Sequence, residues 1–231
     1  MNRRTAAVVL LSGVLIVGGL ACVPLARTLA WSALTRLKGR ETVQGVVDRI
    51  GLAARARLGV SGKPREITFV AFKRERKLDV YIGTDAGERR RLKSYPILAA
   101  SGGPGPKTRQ GDNHVPEGVY RVESLNPNSA FHLALRLNYP SPEDLEAAQS
   151  EGRDPGMLGS DIMIHGKAAS VGCLAMGDEA IEELFTLAAD AGLDHVTVLI
   201  LPHDLRVEPV SDARPWVAER YRRLTTLLPP P

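Results

Sequence analysis

The sequence predicts an α+β domain that is mainly β, with helices inserted between the strands. Segments rich in β-branched and apolar residues recur through the middle of the chain, several with alternating polarity. Two later segments carry helix start signals, and one of them repeats apolar residues at i, i+3, i+4 and i+7. The chain has 231 residues, of which 44% are hydrophobic and 24% charged. This composition can build one hydrophobic core that needs no stabilising disulfide or metal ion.

The N-terminal segment, residues 1–26, predicts a signal peptide or transmembrane anchor. Two arginines precede a nearly uninterrupted apolar run from Thr5 to Ala26, about the length that crosses a bilayer as a helix. An uncleaved anchor, a cleaved signal peptide and a lipoprotein signal ending at Cys22 remain open, although Gly19 stands where lipoprotein signals usually have an aliphatic residue. Each interpretation places the following domain outside the cytoplasm.

Residues 27–63 are predicted as a helical stalk or arm. Arginine and lysine alternate there with apolar residues at mixed helical spacing, and a glycine-rich stretch follows at Gly59–Pro64. We assign residues 64–205 to the main domain and residues 206–231 to a polar C-terminal tail with one short helical stretch.

Seven segments of the main domain are predicted as strands. They are Ile67–Phe72, Leu78–Ile82, Tyr95–Ala100, Val119–Glu123, Phe131–Leu137, Asp161–His165 and Val196–Leu201. Between the third and fourth lies a long segment, residues 102–117, dense in Gly, Pro, Lys and Asp. A loop of that length inside a compact domain is usually functional or disordered.

Two helices are predicted from their termini. Ser141 is a candidate N-cap followed by Pro142 at the first helical position, and this helix runs to about Gly152. Asp178 is a candidate cap for a second, amphipathic helix that ends at Gly192.

The chemically informative segment is 162–176, where His165 stands at a strand end and Cys173 follows a turn rich in Gly, Ala and Ser. An imidazole can accept the proton of a thiol, and the resulting thiolate is the nucleophile. Taken alone, the pattern leaves other interpretations open, since a lone cysteine is often a small buried hydrophobe. A zinc site would lack two ligands, so no metal site is predicted.

Several motifs in a fixed order carry a resemblance to a known family. His165-Gly166, then Ser170, one residue, and Gly172-Cys173 resemble the His-Gly and Ser/Thr-His-Gly-Cys signature of the L,D-transpeptidase catalytic domain (YkuD) family. The short spacer and the Ala-Met after the cysteine look most like the YafK subgroup of murein L,D-transpeptidase-like proteins. Upstream stretches agree with it, namely Gly105–Lys107, Gly111-Asp112, Pro116–Tyr120 and Phe131–Leu133. The resemblance covers roughly residues 64–204.

This resemblance implies a β-sandwich-like catalytic domain that modifies peptidoglycan in the cell envelope or periplasm. The apolar N-terminal segment is expected to hold it at the inner membrane, unless that segment is cleaved. Cys173 would attack the L-centre carbonyl of the stem-peptide diamino acid, His165 would act as base, and backbone amides at Gly172 and Gly166 would hold the oxyanion. The expected partners are peptidoglycan stem peptides, with a D-amino acid acceptor or a peptidoglycan-linked protein. No cofactor is expected. A hydrolase of the same fold and a non-catalytic cell-wall-binding module remain alternatives.

Four further residues are candidates for substrate binding. Lys107 and Arg109 are predicted to bind stem-peptide carboxylates, Asp112 to shape a substrate wall, and Ser170 to hold the turn beside the nucleophile. Val171 replaces the family's usual histidine before Gly-Cys, which puts the role of that histidine in doubt here.

The net charge of +4 is compatible with an anionic partner such as cell wall or membrane surface. Aromatic residues make up only 5% of the chain and do not alternate with basic clusters, so no nucleic-acid partner is predicted.

Overall fold

The computed structural model describes residues 39–84, 87–210 and 212–231. The predicted membrane segment or signal, Cys22 and the first part of the predicted arm lie outside these ranges. The chain divides after Glu41, and Thr42–Pro231 forms one compact unit that contains every element described below. Within the described ranges, no helix combines the length and the apolar character needed to cross a bilayer.

The described strands form one mixed sheet of nine, in the order β3-β2-β1-β9-β5-β6-β7-β8-β4. They are β1 (Ile67–Phe72), β2 (Lys77–Gly83), β3 (Arg89–Pro96), β4 (Ala99–Ala100), β5 (Gly118–Ser129), β6 (His132–Leu137), β7 (Met163–His165), β8 (Leu174–Ala175) and β9 (Val196–Leu201). The pairs β1–β9 and β7–β8 are parallel, and the other pairs are antiparallel. β5 joins the strands β3-β2-β1-β9 to the strands β6-β7-β8-β4, because its first residues pair with β9 and its later residues pair with β6.

The strand predictions agree best where both faces of a strand are buried. β1 and β9 have the predicted bounds. β3 differs, because the prediction of a strand at Tyr95–Ala100 missed the charged residues before it. The three arginines among them are exposed and Lys93 is half-buried. Of the described strands, β3 pairs only with β2, so it is an edge strand. An edge strand tolerates charge because water solvates its side chains, and charge also discourages pairing with another chain.

Four helices and two 3-10 turns complete the described elements. The helices are α1 (Val43–Leu58), α2 (Pro142–Ser150), α3 (Asp178–Ala191) and α4 (Pro215–Leu227), and the turns are Pro155–Met157 and Leu193–His195. α2 starts as predicted, since Ser141 and Asp144 form a reciprocal capping box. α3 differs at its start: Gly177 is the N-cap, and Asp178 instead accepts a hydrogen bond from the Lys167 backbone N–H at 2.8 Å.

Both faces of the central strands are covered. On β1, Ile67, Phe69 and Ala71 belong to the larger core, which α1 and α3 also contribute to, whereas Val70 and Phe72 pack in a second cluster with α4. This explains the uninterrupted apolar run of β1, because a strand buried on both faces does not alternate. The result is a mixed α/β fold built on one large sheet.

The C-terminal segment contributes more to the core than its polarity predicts. Residues 206–231, predicted as a polar tail, contain α4, whose Val217, Tyr221 and Leu224 are buried. Buried Arg220 donates to the Glu117 carbonyl at 2.8 Å and to Asp144 Oδ1 at 2.9 Å. The sequence pattern did not predict this packing, because arginine, glutamate and threonine separate the few apolar residues of the helix.

Candidate active site

Two short parallel strands bring Cys173 and His165 together. β7 ends at His165, and β8 begins immediately after Cys173. His165 pairs with Ala175, so Cys173 lies two residues before the partner of His165 on a neighbouring strand. The register therefore places Cys173, in the bend that leads into β8, beside the strand that ends at His165.

The imidazole of His165 is held rigidly. It is only 2% exposed, and its ring stacks against Phe131 with the ring centroids 4.5 Å apart. Nδ1 lies 2.7 Å from the Gly166 carbonyl oxygen, which can only accept, so the neutral ring carries its proton on Nδ1. Nε2 is consequently the nitrogen with a free lone pair, as a general base requires.

Gly166 is fixed by crowding around its backbone. A Cβ at this position would lie 2.6 Å from the Phe131 carbonyl oxygen and 2.7 Å from Asp178 Oδ1. Its N–H donates to the Leu133 carbonyl at 3.1 Å. A side chain here would displace the backbone next to His165, which accounts for the glycine in the motif.

Cys173 carries a free thiol beside polar backbone groups. The thiol donates to the Asp161 carbonyl at 3.7 Å. Burial raises the pKa of the thiol, and the Asp161 carboxylate adds to that, whereas a hydrogen bond from the Met163 N–H and the Lys107 charge oppose it. Burial also lowers the pKa of His165, opposed by the Gly166 carbonyl. Both groups therefore rest in their neutral forms near neutral pH.

Two serine hydroxyls hold the turn that carries Cys173. Ser170 Oγ accepts from the Cys173 N–H at 3.1 Å and donates to the Cys173 carbonyl. Ser101 Oγ accepts from the Gly172 N–H at 2.5 Å and donates to the Asn113 carbonyl at 2.7 Å. Gly172 has φ +89, a left-handed conformation that glycine adopts without strain. The turn is thus tied to the long loop over residues 102–117.

Lys107 and Asp112 form a buried ion pair inside that loop. Lys107 Nζ lies 2.6 Å from Asp112 Oδ1 and donates to the Arg109 carbonyl at 2.7 Å. Asp112 also accepts the N–H groups of Thr108, Arg109 and His114. These donors outweigh burial, the largest single influence, and lower the Asp112 pKa to about 2. The pair therefore stays ionised and shapes the loop.

A cavity of about 280 Å³ adjoins the turn. It is lined by Lys107, Gln110, Gly111, Asn113, Gly159, Ser160, Asp161, Ile162, Val171 and Gly172. Val171 is 76% exposed at this edge. A cavity with polar walls next to a candidate nucleophile is the arrangement expected of a substrate site.

The predicted site residues divide into three groups. The first group lies in the turn before β8 and at the adjoining end of β7, and consists of Ser170, Gly172, Cys173, His165 and Gly166. Lys107 and Asp112 lie in the adjoining loop, and Lys107 lines the cavity. Arg109 is exposed, and its backbone rather than its guanidinium contacts the ion pair.

Sequence reasoning missed Ser101, Asp161 and Phe131. None of the three belongs to a local motif with the nucleophile, and each reaches the site only through folding. A hydroxyl at the end of the predicted third strand was the one available signal for Ser101.

Comparison with known proteins identifies related sequences. The family model YkuD, described as the L,D-transpeptidase catalytic domain, matches residues 68–200. The Escherichia coli (strain K12) protein "Putative L,D-transpeptidase YafK" is 40% identical over 137 residues, which are 57% of this chain and 52% of that protein. The chain thus spans about half the length of the curated relatives it matches.

Two solved structures are partly similar to this chain. Bd1075 from Bdellovibrio bacteriovorus has a TM-score of 0.43 and 22% sequence identity. The match covers 71% of this chain and 55% of that one. The helical cell shape determining protein Pgp2 from Campylobacter jejuni gives a TM-score of 0.46 and 18% identity, covering 72% of this chain and 57% of that one.

Proposed function

Because the chain belongs to the L,D-transpeptidase catalytic domain (YkuD) family, we propose that it is a cysteine acyltransferase that acts on peptidoglycan stem peptides. One observation carries the proposal. The free thiol of Cys173 lies two residues before the strand partner of a buried histidine whose Nε2 is available as base. A structural cysteine needs no such neighbour, whereas acyl transfer through a thioester does.

The proposed reaction has two halves. As the sulfur of Cys173 bonds to the L-centre carbonyl carbon of the diamino acid, the thiol proton passes to His165 Nε2. The C–N bond to the following residue then breaks, and the imidazolium returns the proton to the departing amine, which leaves a thioester. An amine acceptor or water then attacks the thioester, with His165 taking its proton, and the thiol is regenerated as the new acyl product leaves.

Backbone amides of the turn are the proposed oxyanion donors. In the free protein the N–H groups of Gly172 and Cys173 each donate to a serine hydroxyl. An oxyanion is a charged and therefore stronger acceptor than a hydroxyl, so we expect it to replace at least one serine during attack. The Gly166 N–H is already engaged in strand pairing, so its contribution is to the backbone next to His165.

The substrate sets the expected location. Stem peptides of peptidoglycan lie outside the cytoplasmic membrane, so the domain is proposed to act in the cell envelope or periplasm. The N-terminal apolar segment is proposed to export it or hold it at the inner membrane. No metal or organic cofactor enters the proposed reaction.

The test is substitution of the nucleophile. Cys173→Ser is expected to lose activity on a disaccharide-tetrapeptide by a factor on the order of a thousand or more, because a hydroxyl is a far poorer nucleophile beside this base. A carbapenem should add one drug mass to the peptide containing Cys173 and none to the variant. Near-normal turnover by Cys173→Ser, or labelling elsewhere, would exclude Cys173 as the nucleophile. Absence of both turnover and labelling in the natural chain would favour a non-catalytic wall-binding module.

Hydrolysis is the second candidate outcome for the thioester, and Val171 favours it. Valine is exposed beside the cavity, where the family's common form has a histidine able to orient an acceptor amine. Loss of such a group typically costs ten- to a thousandfold in a step, and water depends less on positioning. With excess D-amino acid acceptor, the ratio of hydrolysed to exchanged tetrapeptide should therefore exceed one. Val171→His should shift the ratio towards exchange. Predominant exchange by the natural chain would reject hydrolysis as the main outcome.

A further inference from the structure

We propose that Asp161 selects an acyl donor whose diamino acid carries a free side-chain ammonium group. The inference rests on the proposed function, because it names the residue that recognises the donor beside Cys173. Asp161 belongs to no motif of the nucleophile turn, and folding brings it to the site.

The backbone of Asp161 is built into the site. Its carbonyl accepts the thiol of Cys173 at 3.7 Å, and the residue lines the cavity next to the turn. Its φ is +63, a left-handed conformation that costs most side chains energy but that aspartate and asparagine tolerate. The side chain is 61% exposed, so a ligand can reach the carboxylate.

The charges around the cavity leave a negative excess at Asp161. Among the described lining residues only Lys107 and Asp161 are charged, and the buried Lys107 ammonium is already neutralised by Asp112 at 2.6 Å. Asp161 Oδ1 contacts Arg136 Nη1 at 2.6 Å, but Arg136 also contacts Glu123 at 2.9 Å. One guanidinium therefore serves two carboxylates, and the group of three carries a net charge of about −1.

The Asp161 carboxylate also acts on the nucleophile. After burial and the opposing Met163 N–H, its charge is the next influence on the thiol, and it raises the pKa of Cys173. An ammonium group bound at Asp161 would offset that charge and favour the thiolate. A donor with an ammonium group would therefore bind Asp161 and would also make loss of the Cys173 thiol proton easier.

The remaining polar walls suit the same ligand. Gln110 and Asn113 contribute amides to the cavity lining, which are groups that form hydrogen bonds with a peptide. The Ser160 hydroxyl, also in the lining, donates to Asp161 Oδ2 at 3.1 Å. An acetylated side chain would keep the peptide hydrogen bonds and lose the charge. Acetylation of the donor nitrogen therefore separates recognition of charge from recognition of the peptide.

The experiment compares two donors on the full chain. One is a disaccharide-tetrapeptide with a free side-chain ammonium on its diamino acid, and the other is the same muropeptide acetylated at that nitrogen. We expect the natural chain to prefer the free amine by about two- to fivefold in kcat/KM, a typical value for an ion pair at a partly exposed site. Asp161→Asn should reduce the preference to about one, mainly by slowing the free-amine donor.

Glu123→Gln is the matched control, since it removes the other carboxylate bonded to Arg136 but lies outside the cavity lining. Because it leaves Arg136 to neutralise Asp161 alone, it should weaken the preference but not abolish it, whereas Asp161→Asn also removes the carboxylate that contacts the donor. Equal use of both donors by the natural chain, or an unchanged preference in Asp161→Asn, would overturn the inference while leaving the proposed function intact. Failure of the natural chain to turn over either donor would instead reject the proposed function, and the inference with it.

Discussion

At the residue scale, burial acts in opposite directions on the two members of the pair. It raises the pKa of the Cys173 thiol above its usual 9.0, and it lowers the pKa of His165 below its usual 6.5. A neutral thiol and a neutral imidazole are therefore the expected resting state. In the proposed mechanism there is no preformed thiolate, and the proton moves to His165 only as the sulfur attacks.

The pH dependence tests this resting state. Because the base has a lowered pKa, it stays unprotonated to lower pH, and the acid limb of kcat/KM should fall below pH 6.5. Alkylation of Cys173 by iodoacetamide without substrate should still be increasing at pH 9.0, since the thiolate forms late. A rate of alkylation that is already maximal at pH 6 would indicate a thiolate–imidazolium pair and contradict the prediction.

At the element scale, the C-terminal helix anchors the loop that borders the site. The buried Glu117 carboxylate accepts hydrogen bonds from Lys73 Nζ at 2.8 Å, from the Gly105 N–H at 3.0 Å and from the Tyr221 hydroxyl at 2.5 Å. Tyr221 belongs to α4, and Gly105 belongs to the loop over 102–117. One carboxylate thus connects α4 with the segment that leads to Lys107.

Removing the hydroxyl of Tyr221 should loosen this loop. Tyr221→Phe leaves one acceptor position of a buried carboxylate unfilled, which should lower the free energy of unfolding by about 1–2 kcal/mol in urea titration. Limited proteolysis should cut within residues 102–117 faster than in the natural chain.

Tyr139→Phe is the control, because the buried Tyr139 hydroxyl has no hydrogen-bond partner in the part of the chain that the structure describes. That change should be neutral or slightly stabilising. Equal destabilisation by both variants would show that the Glu117 contact is not the cause.

At the scale of the whole molecule, the buried carboxylate of Glu183 on α3 connects three elements. It accepts hydrogen bonds from Arg57 of α1 at 2.7 Å, and from Lys93 at 2.7 Å and Tyr95 at 2.5 Å on β3. Burial acts to raise the pKa of Glu183, but these three donors outweigh it, and the pKa is lowered. The ionised form therefore stabilises the fold.

Glu183→Gln should lower the free energy of unfolding by about 2 kcal/mol, less than for a fully buried pair because water partly screens Lys93 and Arg57. The melting temperature should fall by about 4–8 °C. Since the folded pKa lies below the usual 4.5, the difference from the natural chain should be constant above that pH and shrink as the pH falls through the folded value.

The control is Glu179→Gln, which removes a largely exposed carboxylate 3.4 Å from the same Arg57 and should change stability by less than about 0.5 kcal/mol. A similar loss in both variants would show that burial of Glu183 is not what matters.

The sequence by itself determined the features that depend on residues close together in the chain. Local patterns of apolarity, capping and motif predicted the bounds of β1 and β9, the N-cap at Ser141, and the candidate pair His165 and Cys173. The sequence predicts these features because side-chain periodicity and helix capping depend on residues only a few positions apart.

Only the tertiary structure decided which distant groups complete the site. Ser101 meets Gly172 across 71 residues, and Tyr221 meets Glu117 across 104. The charged strand β3 and the burial of α4 likewise depend on neighbours that no local pattern specifies. Each of these contacts joins single polar atoms, which come together only when whole helices and strands pack. Their partners are therefore fixed by the path of the chain in space, not by the residues next to them in sequence.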